Sequence, residues 1–153
     1  MKILLLLFSF YIFVNAQEAV KKVVFDLTTS DIKTFEKKVL SGIVNQKTHY
    51  ENKLEELEVA VIIHGDAYKF FIKDLSISAF KNESELVKEQ NDLSKRIHTM
   101  SDTYNVEFFI CEAGMKNLKI SKENIYKFLK IVPNATIGLI DKQQDGYAYI
   151  PIR

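Results

Sequence analysis

A single cysteine, Cys111, stands in a chain of 153 residues, so no internal disulfide is possible. Charge of one sign is missing too. Lys and Arg number 21 against 20 Asp and Glu, interspersed along the chain, which argues against nucleic acid as a partner because phosphate binding needs a basic face. No His, Cys, Asp and Glu cluster shows ligand spacing, so no metal is expected. Neither a glycine-rich phosphate loop nor a dinucleotide fingerprint follows the first strand-like run, and no Ser-His-Asp motif is present, so no cofactor is expected. Internal repeats and low-complexity segments are absent as well.

The longest apolar run, Ile3 to Val14, is about a dozen residues, short of the roughly 20 that span a bilayer. Lys2 precedes it, and Val14-Asn15-Ala16 ends it with a small-x-Ala pattern. Residues 1–16 therefore read as a signal peptide. The mature chain, 17–153, is then a single exported domain, periplasmic or secreted, with no membrane attachment after cleavage. In an oxidising compartment an unpaired thiol invites an intermolecular bond or a reactive role.

The rest of the chain alternates between strand and helix patterns. Lys22 to Leu27 is a β-branched run that gives way to Thr28-Thr29-Ser30-Asp31, good helix-capping chemistry. Ile32, Phe35, Val39, Leu40, Ile43 and Val44 recur at helical spacing, in a helix reaching Tyr50 or Leu54. Glu58 to Ile63 is apolar at successive positions, the pattern of a strand covered on both faces. Tyr68, Phe71, Ile72 and Leu75 fit a short helix. Leu86, Gln90, Leu93, Ile97, Met100 and Tyr104 form the seam of a long helix over about 83–102.

Val106 to Cys111 is the third strand. Ser121 caps a helix with Ile125, Phe128 and Leu129, Ala135 to Ile140 is a fourth strand, and Tyr147 to Ile150 a fifth, ended by Pro151. Such alternation implies a mainly parallel five-stranded sheet in a three-layer α/β/α domain.

In a parallel sheet the carboxyl ends of the strands form the functional edge. Here they bring together Asp26-Leu27-Thr28, His64-Gly65-Asp66 and Cys111-Glu112-Ala113-Gly114. A helix amino terminus after Cys111, or a nearby His64 cation, lowers a thiol pKa and favours the reactive thiolate, whereas Glu112 opposes it. Cys111 is equally readable as a small core hydrophobe. Asp26, Thr28, Gly65, Asp66 and Gly114 are pocket candidates, and each is also a plausible turn or cap residue. His49 and His98 lie on helix patterns and read as solvated. Tyr147 and Tyr149 share one face, either core or a subunit contact.

The segment Val106-Glu107-Phe108-Phe109-Ile110-Cys111-Glu112-Ala113-Gly114-Met115-Lys116, with the long helix before it, resembles the DsrE/DsrF-like family, which includes the TusD sulfur-relay subunit and the YchN-type proteins. Residues 61–67 and 144–151 are similar to an exported, mostly uncharacterised branch. The resemblance implies that Cys111 carries a persulfide and that the protein is a homo-oligomer, a trimer or hexamer. Two departures stand out: relay members are cytoplasmic, and Glu112 occupies a position where relay members can have small apolar residues. The relay partners are therefore not carried over, and the sulfur donor and acceptor are unknown.

Two functions follow as expectations. One is an exported sulfur-handling protein, a sulfurtransferase-like carrier in which Cys111 holds the persulfide and His64 tunes or orients it. The other is an oligomeric small-ligand-binding or structural module without catalysis, in which the cysteine is core.

Overall fold

The computed structural model describes residues 20–153; residues 1–16, expected to be a signal peptide, lie outside them. Five strands form one sheet in the order β4-β3-β2-β1-β5: β1 Lys21–Leu27, β2 Leu57–Ile63, β3 Glu107–Cys111, β4 Lys130–Val132 and β5 Ala148–Ile152. Every neighbouring pair is parallel. The chain steps from β1 to β2 to β3 to β4 in one direction, then returns across the whole sheet to β5. Right-handed crossovers therefore place the first three connections on one face and the last on the other, giving three layers.

The first connection holds α1 Ile32–Phe35 and α2 Gly42–Glu51, joined by π-helical turns over Glu36–Ser41. Asp31 caps α1 through its carboxylate, which accepts from the Thr34 amide. The second connection contains α3 Ser84–Asp102, whose Leu86, Leu93, Ile97 and Met100 are buried as their spacing requires. Gln90, in the same seam, donates to the Ile72 and Lys73 carbonyls. The short helix expected around Tyr68 is two 3-10 segments, Ala67–Phe71 and Leu75–Ile77. A short helix, α4 Glu112–Asn117, starts directly after β3.

Two expected elements are corrected. Ala135 to Ile140 is not a strand but the start of α5, Ala135–Gln144. Asn134 accepts from the Ile137 amide and nucleates the helix, while Gly138 lies against Ile62 and Val132, so that α5 packs on the face opposite the other helices. An uninterrupted apolar run of this length does not distinguish a strand from a helix. Conversely, the stretch around Ile125 to Leu129 is no α-helix: a 3-10 turn at Lys122–Asn124 leads through an isolated antiparallel bridge of Ile125 to Ile72 and a turn in which the Leu129 amide donates to the Tyr126 carbonyl at 3.2 Å, and so into β4. Tyr126 and Phe128 stack with ring centroids 5.6 Å apart and both pack edge-on to His98. The turn between them brings the two rings to one side.

His98 is accordingly half-buried rather than solvated. Pro151 lies inside β5 instead of ending it, which an edge strand tolerates because one side of its ladder is unpaired.

Replacing Asn134 by Ala removes the cap of α5 and should cost about 1 kcal/mol of unfolding free energy. Urea unfolding checks this; an unchanged midpoint would contradict the capped helix.

Candidate functional site

The central strands end on one face at one edge. Asp26 pairs in register with Ile62, and Ile62 with Phe109. Two residues beyond these last two, alternation returns His64 and Cys111 to the same face. This is the face of α5, since Gly138 touches Ile62.

Cys111 closes β3 and is the N-cap of α4 in extended conformation. It is 6 % exposed. Its surroundings are polar where they matter. Tyr68, 1 % exposed, donates its hydroxyl to the Cys111 carbonyl at 2.8 Å and lies beside the sulfur. The backbone amides of Ala113 and Gly114, from the start of α4, and of Ala135, from the start of α5, lie near enough to the sulfur to favour its anion. The Ala113 amide additionally meets the Pro133 carbonyl at 3.3 Å, which stitches the two helix starts together.

Burial alone pushes the Cys111 thiol up. Hydrogen bonds from Tyr68 and from the amides of Gly114, Ala135 and Ala113 outweigh it and hold the thiol below its ordinary 9.0. Burial, together with the neighbouring Cys111, pushes the Tyr68 phenol far above its ordinary 10.0, so it remains a donor. Its one proton serves one acceptor at a time, and an anionic sulfur is the stronger of the two. The expected opposition from Glu112 is offset by Lys116 at 3.1 Å and Lys122 at 3.6 Å.

Gly114 has a steric role. A Cβ there would meet the Tyr68 hydroxyl at 2.0 Å and the ring at 2.6 Å, so only glycine lets this tyrosine reach the cysteine.

His64 faces Asp26: Nε2 and Oδ1 are 2.5 Å apart, and Tyr149 donates its hydroxyl to Oδ2 at 2.6 Å. Asp26 is 6 % exposed, and the His64 side chain 30 %. Thr28 donates to the Ile152 carbonyl at 3.3 Å, and its own carbonyl accepts from the Asp66 amide at 3.3 Å. Gly65, at φ +61°, makes the turn between His64 and the exposed Asp66. Thr28, Gly65 and Asp66 thus build the corner beside β1 and β2, while Asp26 and His64 are joined to each other.

Sequence reasoning missed Tyr68, Ala135 and the partner of Tyr149. A buried tyrosine needs a partner for its hydroxyl, and this was the one available signal for Tyr68. Tyr147 and Tyr149 do share a face, but as hydrogen-bond donors to Glu58 and Asp26.

A model of the DsrE/DsrF-like family matches residues 22–152. The chain belongs to the DsrE/DsrF-like family. A curated relative, an uncharacterised protein of Aquifex aeolicus, is 27 % identical over 132 residues, 85 % of this chain; the alignment spans about half the length of that relative, 55 %. Among solved structures, this DsrE/DsrF-like chain is similar to MTH1491, a protein of unknown function from Methanobacterium thermoautotrophicum. The TM-score is 0.64 at 16 % identity, covering 86 % of this chain and 98 % of that one. At such identity the likeness speaks for the DsrE/DsrF-like fold alone.

Two variants test this geometry. Gly114→Ala should displace Tyr68 and cost about 1–3 kcal/mol in urea unfolding; full stability would contradict the packing. Tyr68→Phe removes a donor that favours the thiolate. The pH at which Cys111 alkylation is half-maximal should therefore rise relative to wild type, and an unchanged or lower midpoint would refute the role of the hydroxyl.

Proposed function

We propose that this protein is a sulfur carrier in which Cys111 accepts sulfane sulfur as a persulfide and passes it on by thiol exchange. The observation that carries this reading is the set of donors around the sulfur: the Tyr68 hydroxyl and the amides of Ala113, Gly114 and Ala135. Membership in a family linked to sulfur relay supports it. In the loading step the Cys111 thiolate attacks the outer sulfur of a donor persulfide. The donor S–S bond breaks, its electron pair leaves on the donor thiolate, and a new S–S bond joins the transferred sulfur to Cys111. The same donors favour the anion before attack and the persulfide anion after it.

In this reading the protein is a carrier more than a turnover enzyme, and it stands closest in kind to the TusD and YchN-type members. The apolar segment ending at Ala16 supports export to the periplasm or beyond. The family resemblance supports a homo-oligomer, a trimer or hexamer.

A second reading draws on the 6 % exposure of Cys111. A thiol so covered can be packing, and the edge formed by Asp26, Thr28, His64 and Gly114 would then hold a small ligand in an oligomeric binding module.

Intact mass spectrometry of native protein after incubation with a sulfane-sulfur donor separates the two. The carrier reading requires a reducible gain of roughly 32 Da, one sulfur atom, on wild type and none on Cys111→Ser. No gain, with a thiol that resists alkylation until the protein is unfolded, would leave the binding module.

A further inference from the structure

Both carboxylate oxygens of the buried Asp26 are committed, Oδ1 to His64 and Oδ2 to Tyr149. With Nε2–H turned to Asp26, His64 presents Nδ1 as its lone-pair nitrogen, and about a third of the side chain stays open, 30 %. A carboxylate that fixes the tautomer and orientation of an imidazole is an arrangement in which histidine serves as a general base.

The ladder supplies the relation to Cys111. Ile63 pairs with Ile110, so the next row carries His64 and Cys111 on adjacent strands, about 4.8 Å apart as strands, with both side chains on the α5 face. His64 reaches across to Asp26 on β1. The titratable and charged groups around His64 are Asp26 from β1, Tyr149 from β5 with Arg153 beside its hydroxyl, and Asp66 in its own turn, with Cys111 one strand over on β3.

We propose that His64, oriented by Asp26 and Tyr149, is the base that ionises the thiol of a small aliphatic acceptor as that acceptor discharges Cys111. This rests on the carrier reading and adds the class of the acceptor. Discharge is the step a base assists, because an ordinary acceptor thiol is mostly protonated at neutral pH, whereas the donors around Cys111 already favour its own ionisation. The acceptor is small because Cys111 is 6 % exposed. The acceptor S–H proton passes to Nδ1, and the resulting thiolate attacks the outer sulfur of the Cys111 persulfide. The Cys111 S–S bond breaks and its electron pair returns to Cys111 as thiolate. The acceptor leaves as a persulfide, and the imidazolium gives its proton to solvent.

The test is single-turnover discharge of isolated, persulfide-bearing protein by 2-mercaptoethanol between about pH 7 and pH 10. Because the protein starts loaded, the loading step drops out. His64→Gln should discharge about tenfold or more slowly than wild type at neutral pH. The gap should close to within about twofold at the alkaline end, where the thiol ionises unaided. Asp26→Asn, which loosens the imidazole, should show the same pH-dependent slowing, and imidazole added to His64→Gly should restore part of the rate. These last two keep the question open to decision should His64→Gln fold poorly. Equal discharge rates for wild type and the His64 and Asp26 variants across the range would overturn the proposal. Wild type that takes up no persulfide at all would overturn the carrier reading instead, a failure visible before any discharge is started.

Discussion

The parallel ladder of β1, β2 and β3 fixes what can meet at the functional edge. Val24, Ala60, Val61, Ile62, Ile63 and Ile110 are fully covered, so a slip of one residue would turn buried side chains into the wrong layer. The register is therefore held by the core, and the residues just past it inherit their positions from it. Asp26, His64 and Cys111 are placed together by hydrophobic burial several residues away, not by their own attraction. The bond between Asp26 and His64 then refines an arrangement the core has already set.

At Cys111 two opposing effects meet. Covering a thiol disfavours its charged form, and here the sulfur is well covered. Three backbone amides and the Tyr68 hydroxyl work in the other direction and prevail. The amides belong to helices that start on opposite sides of the sulfur, one following β3 directly and one arriving after β4, and the Ala113 to Pro133 bond holds the two starts together. Tyr68 completes the set only because residue 114 has no side chain. Such a setting suits a sulfur that spends part of its cycle as an anion.

Much of this was legible in the sequence, for reasons that differ by element. β1, β2 and β3 declare themselves through continuous β-branched and aromatic runs, and α3 through a long seam of apolar residues at helical spacing. The strand ends then followed, and with them Asp26, His64 and Cys111. α5 was hidden because its outward positions, Ile137 and Ile140, are as apolar as its inward ones, so no amphipathic stripe marks it. β4 was hidden because Ile125, Phe128 and Leu129, just before its three residues, fit the i, i+3, i+4 spacing of a helix. Tyr68, Ala135 and Tyr149 reach the edge across 43, 24 and, from Asp26, 123 residues of chain, and local pattern carries no record of such meetings.

The central claim is that the fold holds the Cys111 sulfur readily as an anion despite covering it. Ultraviolet titration of the thiolate band, native protein against protein unfolded in denaturant with Cys111→Ser subtracted as background, measures this directly. The account predicts that the native thiol ionises at lower pH than the unfolded one. A native transition at the same pH or higher would mean that burial prevails over the surrounding donors, and that Cys111 belongs to the core.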